Sequence, residues 1–311
     1  MSDPLKIYKA LADETRLRLM RLLQRSALSV NEVVEIMEMG QSRISRHLKI
    51  LADAELVRFR REGTWVYYQA REGADELITG VLHQLVEFAN RVPYCDRDLR
   101  ALEAAIERRR ETTRRFFDGV SEAEGQPEYQ NLTGTRYRDV AAGLVAATDI
   151  LLDMGTGAGL LLPALLDKVD SVIAVDSSTT MLEMARQSVN GHHDRCDFRL
   201  GDLEHLPVAD GEVGEVMACM VLHHLSAPEK AIAEARRALR DGGRLVVVDL
   251  HRHTDESLRE RMADLWLGFA PAEVRGWLEE NDFTIVDAEV VREPGSLDLI
   301  TFQADKKGKY L

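Results

Sequence analysis

Ile150-Leu-Leu-Asp-Met-Gly-Thr-Gly-Ala-Gly159 decides the fold of more than half of this chain. Branched apolar residues in a short run read as a buried parallel strand. The run ends in an acid, Asp153, and breaks into a loop with glycine at every second position, Gly155, Gly157 and Gly159. Leu160 to Val169 then reads as a helix, with Pro163 tolerated in its first turn. Strand, glycine loop and helix form the usual opening of a doubly wound α/β domain. Glycines let the backbone approach a ligand, and the helix start offers free N–H groups.

The polar residues around the loop narrow the ligand. A dinucleotide fingerprint places its third glycine three residues after the second, whereas here position 160 is Leu160 and Gly159 comes one residue early. Asp153 stands two residues before the first glycine, which suits an ammonium group better than a pyrophosphate. The next apolar run, Ser171-Val-Ile-Ala-Val175, ends in Asp176 and Ser177. It lies about 20 residues past the loop, where a carboxylate can accept both hydroxyls of a ribose. A third strand around Phe198 to Leu200 ends in Gly201-Asp202-Leu203, whose carboxylate and backbone N–H can read an adenine edge.

This constellation resembles the class I S-adenosylmethionine-dependent methyltransferase domain, from about Tyr137 to Phe302. The resemblance implies a Rossmann-like α/β fold with S-adenosylmethionine or S-adenosylhomocysteine as ligand. In that reading Asp153, Met154, Gly155, Thr156, Gly157 and Gly159 hold the methionine moiety. Asp176, with Ser177 beside it, holds the ribose, and Gly201, Asp202 and Leu203 hold the adenine. Tyr137 is placed to reach the ligand carboxylate, Met220 lies where family members touch the cofactor, and Met154, Met181 and Met220 are candidates to line the cleft.

The 311 residues predict two domains, and 45% hydrophobic content is enough for real cores. Cys95, Cys196 and Cys219 show neither pairing nor metal-ligand spacing, which fits a reducing compartment. The N-terminus lacks a basic-then-apolar leader, and no apolar run approaches the ~18 residues of a membrane span. The expectation is a cytoplasmic protein with no membrane partner. The net charge of -13 is unevenly spread: residues 1–72 hold 13 basic and 10 acidic residues, the remainder 27 and 43. Such asymmetry points to a nucleic-acid-facing module attached to an acidic body.

Asp13 reads as the N-cap of a helix carrying Leu17, Leu19, Met20, Leu22 and Leu23. Ser29 caps the next, with Glu32 completing a capping box, and Gly40 ends it. A third helix, Gln41-Ser-Arg-Ile-Ser-Arg-His-Leu-Lys-Ile-Leu51, keeps Ile44, Leu48 and Leu51 on one side. Ser42, Arg43, Ser45, Arg46 and Lys49 lie opposite, with His47 close by. A cationic, hydroxyl-rich helix after a tight turn is what a major-groove reader needs. Leu56 to Tyr68 reads as a hairpin with Glu62-Gly63 at its tip, and Arg58, Arg60 and Arg61 make a basic wing.

Lys9 to Arg18, Ser42 to Leu51 and Glu62 to Tyr68 together resemble the ArsR family of winged helix-turn-helix regulators. The resemblance implies binding to a double-stranded DNA operator. Metal-sensing members carry cysteines near the start of the helix before the recognition helix. Here that place reads Leu28-Ser-Val-Asn-Glu32 without a thiol, so no metal is expected.

Gly73 to Val92 reads as a helix with an apolar stripe, which serves either a homodimer interface, as in the resembled family, or intrachain core. Asp96 to Phe117 reads as a long charged helix whose Arg108-Arg-Arg110 is a solvated face before it is a DNA contact. Residues 118–128 are the best linker, and Asn131 to Ala147 the helix before the first strand. The expected domains are a winged helix-turn-helix over 1–92, a helical linker over 93–130, and a methyltransferase-like domain over 131–311. Within the last, Val213 to Met220 is a fourth strand and Arg244 to Asp249 a fifth. Trp266 to Phe269 with Pro271 to Glu279 forms a helical insertion. Phe283 to Val290 and Leu297 to Ala304 close the sheet.

Two functions stay open. The arrangement resembles the S-adenosylhomocysteine-responsive regulators of methionine-cycle genes, which implies a repressor whose second domain senses an adenosyl ligand. The alternative is an active small-molecule methyltransferase carrying a DNA-binding module. Its only obvious bases are His223 and His224 at the fourth strand's end.

Overall fold

The computed structural model describes residues 3–62, 65–71, 76–88, 91–119, 136–189, 191–292 and 295–308. It divides into two compact units, Met1–Arg110 and Glu111–Leu311.

The first unit begins with α1 (Pro4–Leu11) and α2 (Glu14–Leu23), then β1 (Leu28–Ser29), α3 (Val30–Met37) and α4 (Gln41–Asp53). It continues through β2 (Val57–Glu62), β3 (Trp65–Ala70), α5 (Glu76–Phe88) and the part of α6 (Cys95–Asp118) up to Arg110. Asp13 caps α2 by accepting from the Arg16 N–H at 3.1 Å. Ser29 and Glu32 form the expected capping box on α3. The strands pair antiparallel in the order β1-β3-β2. Leu19, Leu22, Leu23, Ile36, Ile44, Leu48 and Leu51 fill the core.

The stripe on α5 sends Ile78, Val81 and Leu82 into this same core, while Val86 is 45% exposed. A buried ion pair joins α2 to α6, with Arg18 donating to both Asp98 oxygens at 2.6 and 3.0 Å. The basic triplet follows the sequence reading at Arg108, which stays exposed while donating to Glu35 at 2.8 Å. Arg109 departs from it, largely covered and donating to Glu32 at 2.7 Å.

The second unit is built on a seven-stranded sheet, ordered β6-β5-β4-β7-β8-β10-β9. Its strands are β4 (Ile150–Met154), β5 (Ser171–Asp176), β6 (Cys196–Leu200), β7 (Val213–Cys219), β8 (Leu239–Leu250), β9 (Phe283–Val291) and β10 (Leu299–Lys306). β4 to β8 are parallel, and β10 lies antiparallel between β8 and β9. Chain order reverses at β4, flanked by β5 and β7, so the crevice beyond its carboxyl end is the natural ligand position. Helices α7 (Arg136–Leu144), α8 (Leu162–Leu166), α9 (Thr179–Ser188), α10 (Pro228–Ala238), α11 (Leu258–Arg261) and α12 (Pro271–Glu280) complete it.

Two expectations need correction. The helix after the glycine loop is one short piece, α8, because Leu160 and Leu161 remain in a turn closed by the Leu162 N–H on the Gly159 carbonyl at 3.1 Å. Trp266 to Phe269 is irregular and not helical: Gly268 takes a left-handed φ of 68°, and Phe269 bridges to His251. The closing pair, β9 and β10, lies where the sequence placed it. The hairpin tip at Gly63, most of the proposed linker and Asn131 to Thr135 lie outside the described residues. None of the helices among the described residues is long and apolar enough to cross a membrane.

Candidate functional site

In the second unit the parallel strands bring the sequence-predicted residues to one edge. Met154 is in register with Val175 and Ala218, and Asp176 with Leu200, so the loops after β4, β5, β6 and β7 open on the same side. The glycine loop is pinned to β5: the N–H groups of Gly155 and Thr156 both donate to the Val175 carbonyl, at 2.8 and 3.0 Å.

Its glycines serve different ends. A Cβ on Gly155 would sit 2.3 Å from Val221 Cγ2, so that glycine answers to packing. Gly157, at φ 52°, faces open space, with nothing within 4 Å of a Cβ placed there. Its N–H donates to Asp176 Oδ2 at 2.9 Å, and Asp176 Oδ1 accepts from the Ser178 N–H at 2.9 Å. Ser178 caps α9 and gives its own proton to Asp118 at 2.6 Å. Ser177 beside it is exposed.

Asp153 is buried, and burial with Asp176 nearby pushes its carboxyl up to about 6. Met154, Met181, Leu203 and Tyr137 are buried, and Met220 is half-buried with a left-handed φ of 54°. Burial pushes the Tyr137 phenol up to about 12. Asp202 is half-buried on the turn after β6, Oδ1 accepting from the Glu204 N–H at 2.9 Å, while the Gly201 N–H donates to the Asp176 carbonyl. A buried acid at the loop, a second acid on β5 and an open glycine between them fit an ammonium and a vicinal diol on one ligand.

His223 and His224 are buried. His223 Nδ1 lies 2.6 Å from Asp249 Oδ1, and the Leu222 N–H donates to Asp249 Oδ2 at 2.9 Å. Burial lowers His223, but Asp249 and Asp264 outweigh it and raise the imidazole above its ordinary value. Burial, then His223, pushes His224 well down. Sequence reading missed Asp118, Asp249 and Asp264, which reach these clusters from distant segments. It passed over Cys219, whose thiol is pushed up by burial and by Asp153 and Asp249.

In the first unit α4 presents Gln41, Ser42, Arg43, Ser45, Arg46 and Lys49 to solvent above buried Ile44, Leu48 and Leu51. On β2, Arg58 and Arg61 are exposed and Arg60 is half-buried. Arg58 donates to Gln69 across the hairpin at 2.9 Å. His47 departs from the exposed row. It follows Ile44 by three positions, on the apolar side, and is 4% exposed with Nδ1 3.7 Å from Asp13. Burial lowers its pKa. It supports α4 from beneath.

Residues 13–58 match the family described as bacterial regulatory protein, arsR family, and residues 152–247 match the methyltransferase domain family. The arsenical resistance operon repressor of Bacillus subtilis is 45% identical over 78 residues, 25% of this chain and 71% of that protein. An arsenite methyltransferase of Halobacterium salinarum is 32% identical over 114 residues, 35% of this chain but only 29% of that protein. Among solved structures, the N-methyltransferase NodS of Bradyrhizobium japonicum, determined with S-adenosylhomocysteine, superposes with TM-score 0.52 at 16% identity. That superposition covers 62% of this chain and 98% of NodS and establishes the fold. The chain belongs to the ArsR family of regulators and carries that DNA-binding module on one polypeptide with a class I methyltransferase domain.

Proposed function

We propose that the protein is a DNA-binding repressor, acting as a homodimer, whose methyltransferase-like domain senses S-adenosylhomocysteine or S-adenosylmethionine. The observation that carries this reading is the pairing of an exposed cationic α4 with the Asp153–Gly157–Asp176 cradle in a single chain. An adenosyl ligand supplies the ammonium for Asp153 and the ribose diol for Asp176. Its occupancy can change DNA affinity to the extent that the free and DNA-bound states bind it unequally. NodS, which shares this fold, was crystallised in complex with S-adenosylhomocysteine, which supports that class of ligand. Burial of His223 and His224 favours a sensor over a base-assisted methyl transfer. Methionine-cycle genes are the proposed targets.

The test is fluorescence anisotropy on the gene's own upstream DNA, with each adenosyl ligand titrated separately. A change in DNA affinity with one ligand and not the other supports the sensor and names its signal. Affinity indifferent to both overturns it and turns attention to acceptor screening with a labelled methyl donor.

A further inference from the structure

Beyond the adenosyl cradle, the second unit contains a cluster that the sensor reading does not use. His223, His224 and Asp264 are all buried, and one ligand atom from each lies within 4.8 Å of the others. His223 Nε2 is 3.7 Å and His224 Nδ1 is 3.8 Å from the same oxygen, Asp264 Oδ1. Neither Asp264 oxygen has a hydrogen-bond partner, although both are buried. An ionised carboxylate without donors in such a place is costly unless a cation meets it. His223 and, more weakly, Arg259 act electrostatically on Asp264, and Arg259 Nη1 donates to the Leu265 carbonyl.

The surroundings are arranged for coordination. Asp249 engages Nδ1 of His223, which leaves Nε2 as the atom turned toward Asp264. A carboxylate holding the far nitrogen of a histidine is the usual support of a metal-ligating imidazole. The Phe117 ring packs edge-on against His224, 5.0 Å between centroids, and fixes that ring. His224 Nδ1 makes a long 3.3 Å contact with the Ala263 carbonyl, which a metal would replace. Two nitrogens and an oxygen at about 2.0–2.2 Å from a tetrahedral ion stand about 3.4 Å apart. The two histidine-to-carboxylate separations need to contract by only a few tenths of an ångström.

We infer that His223, His224 and Asp264 form a binding site for a divalent transition-metal ion of zinc-like chemistry, with Asp249 as the positioning residue. Two imidazoles and one carboxylate select a borderline ion over calcium or magnesium. Three protein ligands leave a further position for water or a donor atom of a bound molecule. The site is independent of the sensor reading, since neither DNA nor an adenosyl ligand enters it.

The experiment uses the full chain stripped with a chelator. Zn2+ is titrated in competition with a chromophoric chelator, and Co2+ by its visible d–d absorption. One equivalent is expected, with Co2+ bands of low-symmetry nitrogen and oxygen coordination. Asp264→Asn and His224→Gln should each weaken Zn2+ binding by tenfold or more. His193→Ala, on an exposed residue, should leave it unchanged. Circular dichroism of each variant separates lost ligation from lost folding. Absence of an equimolar site, or undiminished binding in folded Asp264→Asn, overturns the proposal. The wild-type Co2+ spectrum decides it even where a variant fails to fold.

Discussion

Buried beside Asp176, the Asp153 carboxyl stays protonated up to about pH 6, and that sets two opposite expectations. Its pKa is higher folded than unfolded, so its contribution to stability is present below the unfolded value and lost as pH rises through about 6. Asp153→Asn should therefore stabilise the ligand-free protein at pH 8, by up to about 3 kcal/mol, read as a raised midpoint in thermal melts. The same change should weaken an ammonium-bearing adenosyl ligand tenfold or more by calorimetry. In the wild type that affinity should fall as pH drops below about 6. The two glycines ahead of it divide in the same way. Gly155→Ala drives a methyl into Val221 and should lower the melting midpoint. Gly157→Ala meets no neighbour, so the protein should fold with only the ~1–2 kcal/mol strain of a left-handed alanine while losing ligand affinity.

Among the elements, α4 separates reading from support. Arg43→Ala and Arg46→Ala remove exposed cations and should each cost about 1–3 kcal/mol of DNA affinity in anisotropy, without moving the melting midpoint. His47→Ala should do the reverse, destabilising the first unit through a lost core contact. The apolar period of α4 and the alternation of the hairpin were legible because a helix face and a strand face repeat locally. His47 was misjudged because its polarity suggested water, while its position three residues from Ile44 places it over the core. Arg109 departs from the solvated-face reading for a related reason: the acid that meets it, Glu32, lies on α3, more than seventy residues away. The placement of Asp153, Asp176 and Asp202 at the ends of neighbouring strands was legible, since the loops of parallel strands share one edge. Asp118, Asp249 and Asp264 were not, because only tertiary folding brings them to their partners.

For the whole molecule, the test of sensing is whether two binding energies add. An adenosyl ligand at a hundredfold its Kd adds about 2.7 kcal/mol to the state that binds it, and operator DNA does likewise. In a ligand-gated repressor the combined gain should differ from the sum by about 1–3 kcal/mol, seen in melts with each ligand and with both. A purely additive result would count against communication between the two functions. The pairing of Arg108 and Arg109 with Glu35 and Glu32 bears on the DNA side in another currency, that of displaced counterions. Cations already matched by α3 acids release few ions from a duplex, so the salt dependence of binding should report α4 and the β2 wing. Glu32→Gln with Glu35→Gln would unmask two guanidinium groups. If these then reach phosphate, the slope of log affinity against log salt should steepen by about 0.9 for each, with the reading helix untouched.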